Sequence, residues 1–152
     1  MTQGSLFEGD RHGGLERIVV YADGGSRGNP GPAAIGAVVL DPSTEPPSRL
    51  AVVSERIGVT TNNVAEYRAA IAGLEAAAPF RARRLCLRAD SMLVVQQLRG
   101  AWKVKQEHLR PLFERARALL TPYGEVELQH VPRAENTDAD ALVNAALDAG
   151  HS

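Results

Sequence analysis

The stretch VVYADGGSRGNPGPAAIGAVVL, residues 19–40, joins two apolar segments through a polar connection with four glycines and two prolines. The apolar segments predict two strands, residues 16–23 and 33–40, because each is a short apolar run next to turn-forming residues. A hairpin turn needs only two or three such residues, so this connection is longer than a turn requires. Asp23, which ends the first strand, is therefore either a turn former in an Asp-Gly pair or the start of a functional loop.

The rest of the chain adds three strands and four helices to this beginning. Short apolar runs predict strands at 49–58, 83–90 and 125–131, and longer segments predict helices at 60–80, 91–100, 107–124 and 136–150. We expect the first helix to begin near an asparagine cap and to end at Pro79, and Gly150 to cap the last helix. Three successive strands followed by alternating helices and strands predict an α/β fold with one mixed sheet. In such sheets, ligands gather at the carboxyl ends of strands.

The composition is that of one globular domain. The chain has 152 residues, 44% of them hydrophobic, and we expect a disordered lead-in over residues 1–15 and a single domain over residues 16–150. The one cysteine, Cys86, excludes an internal disulfide. The first residues do not form a secretory signal, and no apolar run approaches the roughly 20 residues needed to span a bilayer. We therefore expect a cytoplasmic monomer without a membrane or an obligate protein partner. The net charge of −1 argues mildly against a nucleic-acid partner.

Two acids follow strands, and a third lies on a helix face that should meet the sheet. Asp23 and Asp90 each end a predicted strand, although Asp90 would also serve as an ordinary helix N-cap. Glu66 completes a possible capping box that begins at Asn63. At 100° per residue, however, it shares its face with Ala70 and other small residues that permit close packing. A carboxylate there is partly desolvated, which costs several kcal/mol without a partner.

A fourth acid opens the last helix. Asp140 ends a possible capping box that begins at Thr137, and the neighbouring Asp138 would also favour the helix dipole. Carboxylates that converge repel each other unless protons or metal ions lie between them. Oxygen ligands without a cysteine or histidine cluster select Mg²⁺ or Mn²⁺ over zinc.

The glycine-rich connection and the TTNN segment, residues 60–63, are suited to a phosphate backbone. The connection exposes backbone N–H groups but lacks the Gly-Lys-Ser/Thr ending of a nucleotide P-loop, so a phosphodiester strand fits it better than ATP. TTNN adds amide and hydroxyl donors at a helix start, where anions are favoured. Simple helix capping is the alternative explanation of TTNN.

In combination, these motifs resemble type 1 ribonuclease H. The resemblance is carried by YADGGSRGNPGPAAIGAVV (21–39), TTNNVAEYRAAIAGL (60–74), RADSMLVVQQLRGAWKVK (88–105) and PRAENTDADALVNAAL (132–147). It implies a ribonuclease H-like fold with a five-stranded mixed sheet, in which an antiparallel three-strand meander is joined by two parallel strands and flanked by helices. It also implies hydrolysis of the RNA strand of RNA·DNA hybrids, with 5′-phosphate and 3′-hydroxyl ends. The catalytic, metal-binding quartet implied by the match holds two Mg²⁺ ions, with Mn²⁺ as a substitute, and consists of Asp23, Glu66, Asp90 and Asp140.

The resemblance also implies residues that contact the hybrid. The RNA strand would be contacted through its 2′-hydroxyl groups, which DNA lacks, by Gly24, Ser26, Asn29, Asn62 and Asn63. Thr61 matches a position that contacts a phosphate of the DNA strand. Trp102 is placed along the DNA-strand groove with Lys103 and Lys105, or is instead a half-buried core residue.

The sequence departs from the family pattern at three points. Met92 replaces a glutamine that bacterial relatives often carry, and the segment GAWKVKQEHLRP, residues 100–111, is too short for the basic helical protrusion of many relatives. We therefore expect a compact form with weaker, more salt-sensitive hybrid binding. The compact segment HVPRAEN, residues 130–136, replaces a flexible histidine loop. His130 is either a strand-end residue or an auxiliary catalytic group, and Arg133 is a candidate for the function of that loop.

Overall fold

The computed structural model describes residues 14–149, which form one mixed sheet with helices on both faces. The strands are β1 (Arg17–Ser26), β2 (Gly31–Asp41), β3 (Ser48–Thr60), β4 (Arg84–Ala89) and β5 (Glu125–His130). The helices are α1 (Asn62–Ala77), α2 (Met92–Arg99), α3 (Arg110–Leu120) and α4 (Thr137–Ala149). Short 3₁₀ turns cover 78–80, 107–109 and 133–135. The predicted order of elements is confirmed.

The sheet has the strand order β3-β2-β1-β4-β5. β1, β2 and β3 form an antiparallel meander, and β4 and β5 run parallel to β1. This is the predicted five-stranded mixed sheet. Since β1 and β4 are parallel neighbours, their carboxyl ends lie side by side at one edge of the sheet.

The helix boundaries differ from the prediction mainly in α1 and α3. α1 ends at Ala77 rather than at the predicted Pro79, which lies in the following 3₁₀ turn. Thr61 rather than an asparagine caps α1, and its hydroxyl accepts a hydrogen bond from the Val64 N–H group. The capping-box alternative for Glu66 is thus replaced by a hydroxyl cap. The helix predicted over 107–124 is shorter, because a 3₁₀ turn precedes Arg110 and the helix ends at Leu120, with Pro111 in its first turn.

The predicted small-residue face of α1 packs directly on the sheet. Ala70 and Ala77 are fully buried, and a Cβ atom on Gly73 would lie 2.6 Å from the Val20 Cγ1 atom of β1. The main core lies on this side of the sheet, between β1, β2 and β4 and the helices α1 to α3. A smaller core, containing Ala34, Val143, Ala146 and Leu147, lies on the opposite face beneath α4.

The ends of the chain and its single cysteine complete the description. Residues 1–13 of the predicted lead-in and the predicted cap Gly150 lie outside the described residues. Leu15, predicted as lead-in, is already tied to the fold, because its N–H donates to the Phe80 carbonyl and its carbonyl accepts from Arg83. Cys86 is a buried free cysteine. Within residues 14–149, no helix combines the length and the apolar character needed to cross a membrane.

Candidate active site

The structure brings the predicted acids to the edge of the sheet where β1 and β4 end. The four acids come from four elements: Asp23 in β1, Glu66 in α1, Asp90 directly after β4, and Asp140 in the first turn of α4. Ala22 and Ala89 are paired neighbours in the parallel β1–β4 ladder. The residues that follow them, Asp23 and Asp90, are therefore adjacent, as the sequence predicts. However, β1 continues to Ser26 and Asp23 pairs with Gly36 in the sheet, so the predictions that Asp23 ends the strand or forms a turn are wrong.

The electrostatics of these carboxyl groups show that they meet. Asp23 is only 8% exposed, and its pKa is raised from 3.8 to about 8, first by burial and then by the charges of Asp90 and Asp140 and contacts with their side chains. The pKa of Glu66 is raised to about 7, chiefly by burial, with a contribution from the charge of Asp90. The Ser91 hydroxyl opposes this shift through a hydrogen bond to Glu66. Asp90 and Asp140 thus lie close to Asp23, and Asp90 also lies close to Glu66.

Asp90 does not cap the following helix. Ser91 is the N-cap of α2, where its hydroxyl accepts a hydrogen bond from the Val94 N–H group at 3.2 Å. The N-cap alternative for Asp90 is therefore wrong, and its carboxylate remains available to the acidic cluster.

Two glycines allow the helices that carry acids to approach the strands. A Cβ atom on Gly24 would lie 2.1 Å from the Ala65 carbonyl oxygen of α1, next to Glu66. A Cβ atom on Gly36, which pairs with Asp23 in the sheet, would lie 2.4 Å from the Ala139 carbonyl oxygen of α4. No side chain fits at either position. One glycine of the long connection is thus explained by helix packing, independently of any ligand.

Only one of the four acids has a cationic partner within residues 14–149. An Arg133 guanidinium nitrogen lies 3.3 Å from Asp140 Oδ1, and the Asn144 side-chain amide donates to Asp140 Oδ2 at 3.3 Å. Asp23, Glu66 and Asp90 form no ion pair with an arginine or lysine of the described chain. Burial first, and then the negative charge of neighbouring carboxylates, raises the pKa values of Asp23 and Glu66.

The neighbouring Asp138 has a different role. Its carboxylate forms an ion pair with Arg49 of β3 at 3.2 Å, and both side chains are more than half exposed. Asp140 rather than Asp138 consequently faces Asp23, in agreement with the assignment made from the resemblance.

The donor set fits a hard divalent cation. It consists of carboxylate oxygens alone, one of them nearly buried, and such oxygens are the ligands preferred by Mg²⁺ and Mn²⁺. Within residues 14–149, no three His, Cys, Asp or Glu side chains already stand as a complete ligand set. Asp140 is turned toward Arg133 and Asn144, so an ion at this edge would compete with those two groups.

The glycine-rich loop is fastened to the start of α1 by the predicted substrate-binding residues. Asn62 Oδ1 accepts hydrogen bonds from the Ser26 N–H group at 2.9 Å and the Ser26 hydroxyl at 3.0 Å. Asn29 Oδ1 accepts from the Asn62 N–H group at 3.0 Å. Because backbone N–H groups can only donate, both amide oxygens are fixed, and both NH₂ groups are left as donors without an acceptor in the described chain.

Trp102 is a surface residue rather than a core residue. It is 46% exposed and lines a groove of about 670 Å³. The residues lining this groove are Asn63, Leu93, Gln97, Trp102, Lys103, Lys105 and Gln106. The structure thus brings the predicted residues Trp102, Lys103 and Lys105 together with Asn63 of α1. The alternative that Trp102 is a core residue is wrong.

Sequence reasoning missed a buried amide beside the acids. Asn136 is 1% exposed, and its side-chain NH₂ group donates to the Ala22 carbonyl oxygen at 3.0 Å. Its Oδ1 atom has no partner within the described residues. This contact ties the turn before α4 to the residue that precedes Asp23. The available signal was an asparagine directly before a predicted helix, but that pattern is also typical of an ordinary cap.

Comparisons with known proteins agree with this geometry. A family model described as reverse transcriptase-like matches residues 21–146. The chain is 48% identical over 144 residues to a protein named ribonuclease HI from Halobacterium salinarum, covering 95% of this chain and 69% of that protein. The crystal structure of RNase H1 from the same archaeon has a TM-score of 0.80 and 50% identity, covering 87% of this chain and 98% of that one.

The chain belongs to the type 1 ribonuclease H family.

Two further relatives extend this comparison. The structure of LC11-RNase H1 in complex with an RNA/DNA hybrid has a TM-score of 0.80 and 40% identity, covering 89% of this chain and 99% of that one. A protein named bifunctional protein Rv2228c, from Mycobacterium tuberculosis, is 50% identical over 135 residues. The match covers 88% of this chain, but this chain spans only 36% of the length of that mycobacterial relative.

Within this family, the chain has the compact connection expected from its sequence. Only residues 100–109 separate α2 from α3, and they contain one 3₁₀ turn. Met92, at the start of α2, is 41% exposed. His130 is the exposed last residue of β5, as one of the two sequence alternatives has it, and it makes no hydrogen bond within residues 14–149 to the four acids. Arg133, in the following turn, reaches one of them, Asp140.

Proposed function

We propose that this protein is an endoribonuclease that hydrolyses the RNA strand of RNA·DNA hybrids and leaves 5′-phosphate and 3′-hydroxyl ends. The observation that carries the proposal is the buried carboxyl group of Asp23, which lies beside Asp90 and Asp140 and has no lysine or arginine partner within the described residues. Membership of the ribonuclease H family and the hybrid complex of LC11-RNase H1 support the choice of substrate.

We propose that Asp23, Glu66, Asp90 and Asp140 bind two Mg²⁺ ions, with Mn²⁺ as a substitute. Such ions, when bound, lower the pKa of water and stabilise negative charge on the attacking and leaving oxygens of a phosphodiester. The four acids come from separate elements that pack tightly on the sheet, so the chain holds them at one place. Arg133 would release Asp140 when an ion is present and return to it afterwards. It is thus a candidate for assisting product release, and His130 remains a weaker one.

Substrate recognition would come from two groups of residues on either side of the start of α1. The free NH₂ groups of Asn29 and Asn62 are donors suited to a 2′-hydroxyl oxygen, and the main chain of Gly24 and Ser26 lies beside them. On the other side, the groove with Trp102, Lys103 and Lys105 offers an aromatic surface and two cations to the DNA strand. Thr61, the cap of α1, would contact a DNA phosphate.

Two other functions are compatible with the fold. A non-catalytic nucleic-acid-binding module would use the same groove, but it has no need of a mutually repelling acidic cluster that destabilises the metal-free protein. A nuclease of the wider superfamily would cut DNA. A cytoplasmic location and a monomeric state stay predictions.

The experiment is cleavage of labelled RNA·DNA hybrid, duplex RNA and duplex DNA, each with Mg²⁺ and with a chelator. We expect cleavage of the RNA strand of the hybrid with Mg²⁺ alone, and a 3′-hydroxyl on the product that a polymerase extends. Robust cutting of duplex DNA would contradict the assigned substrate. Hybrid binding without any cleavage would favour the binding module.

A further inference from the structure

Two polar side chains are enclosed in the apolar core between α1 and α2. Tyr67, next to Glu66, is 0% exposed, and Gln97 is 3% exposed. The Tyr67 hydroxyl donates to Gln97 Oε1 at 2.5 Å, and Gln97 Nε2 donates to the Lys103 carbonyl oxygen at 3.2 Å. The three groups form a chain of hydrogen bonds that runs from α1 through α2 to the segment after it.

Stability alone does not explain this arrangement. Burying a hydroxyl and an amide costs free energy that their hydrogen bonds only just offset, and an apolar pair of similar size would fill the space as well. What an apolar pair would not supply is a directional contact with one backbone carbonyl. The Tyr67–Gln97 pair therefore differs from an apolar pair because it fixes the backbone of Lys103.

Lys103 lies in a segment, residues 100–106, that has no helix or strand of its own. The segment is held by side chains and a helix end instead. The Trp102 N–H group donates to the Gln96 carbonyl at 3.2 Å, and the Arg110 guanidinium donates to the Val104 carbonyl at 2.9 Å. Together with the bond from Gln97, these contacts fasten three consecutive residues, so the segment is set in one position.

This segment presents the groove described above. Trp102, Lys103 and Lys105 line it, and Gln97 lies at its inner wall. We propose that Tyr67 and Gln97 are positioning residues that fix this segment and so set the affinity for the hybrid. The inference rests on the proposed function, because it names the groove as the place where the DNA strand binds. Neither residue needs to touch the acids or the scissile strand.

The first test is Gln97→Met, which keeps the volume and removes both hydrogen bonds. We expect the KM for hybrid to rise roughly threefold to tenfold, with kcat unchanged, because one net hydrogen bond to the segment is lost. Gln96→Met is the matched control. Its side-chain amide donates to the Met92 sulfur at 3.6 Å and does not reach the segment, so its KM should stay that of the wild type.

A double variant separates positioning from folding. Replacing both polar partners, Tyr67→Phe with Gln97→Met, leaves neither of these two side chains with an unsatisfied polar atom, so the Tm should recover relative to either single variant. The KM should nevertheless stay raised, since the Lys103 carbonyl has lost its tether. Recovery of both Tm and KM would overturn the inference, as would a wild-type KM in Gln97→Met.

Two further experiments ensure that the test can contradict the inference. If Gln97→Met does not fold, the milder Tyr67→Phe takes its place, with Tyr123→Phe as control. In a Trp102→Ala background, Gln97→Met should add little to KM, because both changes act through the same segment. Full additivity would contradict the inference. A wild-type protein that neither binds nor cuts hybrid would refute the proposed function instead, before any variant is compared.

Discussion

Acidic residues lie at both ends of the parallel β1–β4 pair, but only those at the amino ends form ion pairs with arginines of these strands. At the amino ends, Arg17 pairs with Glu127 at 3.1 Å and Arg84 pairs with Glu16 at 3.1 Å. At the carboxyl ends, Asp23 and Asp90 face each other and have no cation from the described chain. The paired acids are about half exposed or more, whereas Asp23 is 8% exposed. A buried carboxyl group without a cationic partner in the described chain, rather than the number of charges, distinguishes the end where we propose catalysis.

Cavity size alone would have suggested a functional site at the amino ends of β1 and β4. A cavity of about 790 Å³ opens at the amino ends, lined by Arg81, Arg83 and Arg84 among others. These belong to the RARR cluster (81–84), two of whose arginines pair with Glu16. The arginines of this cluster that pair with Glu16 have exposed side chains.

The largest expected effect comes from removing an unpaired acid. In Asp90→Asn, hybrid cleavage should fall by about a thousandfold or more, because a ligand that stabilises transition-state charge is lost. Hybrid should still bind, as measured by fluorescence anisotropy beside single-turnover cleavage. Cleavage at the wild-type rate would show that the acidic cluster is not the active site.

The same end should make the metal-free protein sensitive to pH. Since the pKa of Asp23 is about 8 in the folded protein and ordinarily 3.8, the folded protein binds more protons than the unfolded chain between these values. The free energy of unfolding should therefore fall, by up to several kcal/mol, as the pH rises from about 4 to about 8. Glu66, with a pKa of about 7, acts in the same direction. Urea unfolding in chelator at several pH values measures this.

Asp23→Asn should remove most of that slope, and Mg²⁺ should reduce it in the wild type. Asp41→Asn is the control, because the pKa of the exposed Asp41 is lowered by its hydrogen bonds to Ser43. Its contribution has the opposite sign and is lost only below about pH 4. An unchanged slope in Asp23→Asn would contradict the raised pKa.

The packing of α1 against β1 should matter next. In Gly24→Ala, the new methyl group would meet the Ala65 carbonyl, so we expect a loss of about 1–3 kcal/mol in stability together with reduced cleavage as Glu66 is displaced. Gly25→Ala is the matched control, since its Cβ would have only the Val143 Cγ1 atom nearby, at 4.0 Å. Equal effects at both positions would show that helix packing does not place Glu66. Denaturant unfolding and cleavage assays are sufficient.

A smaller effect should follow from the one arginine at the acidic end. Arg133→Ala should tighten Mg²⁺ binding by up to about fivefold in calorimetric titration, because an exposed ion pair that competes for Asp140 is worth about 1 kcal/mol or less. Arg49→Ala, which breaks the ion pair to Asp138 on the same helix, should leave Mg²⁺ affinity unchanged. Weaker Mg²⁺ binding in Arg133→Ala would mean that the arginine supports the site instead.

The smallest effect is expected at the opposite end of the sheet. Glu16→Gln removes the partner of Arg83 and Arg84, whose side chains are 63% and 43% exposed. Unfolding free energy should change by about 1 kcal/mol or less, and hybrid cleavage should not change. A marked loss of cleavage would mean that the two ends are coupled.

Local sequence patterns predicted the parts of this site that depend on neighbours along the chain. The alternation of helix and strand gave the sheet, and the period of α1 placed Glu66, Ala70 and Gly73 on one face, because helix geometry alone decides which residues share a face. The closeness of Asp23 and Asp90 followed from the predicted neighbouring positions of their strands in the sheet. The choice of Asp140 over Asp138 came from the resemblance and not from spacing.

The rest depends on contacts between distant elements. Gly36 reads as an ordinary strand residue until its pairing with Asp23 places it beneath α4. Local sequence does not show that Asn136 and Gln97 are buried, because only the tertiary packing encloses them. Caps were also misassigned at Thr61 and Ser91, since several neighbouring polar residues were equally able to cap.

The close contacts of helix backbone with Gly24 and Gly36 offer a way to detect local loosening of the protein in solution. Each backbone amide sits where a helix bearing an acid rests on its strand, one on either face of the sheet. Loosening of one helix would change the surroundings, and therefore the amide chemical shift, of only one of these glycines before global unfolding. The two chemical shifts, recorded without substrate as denaturant is added, would thus tell whether α1 or α4 loosens first.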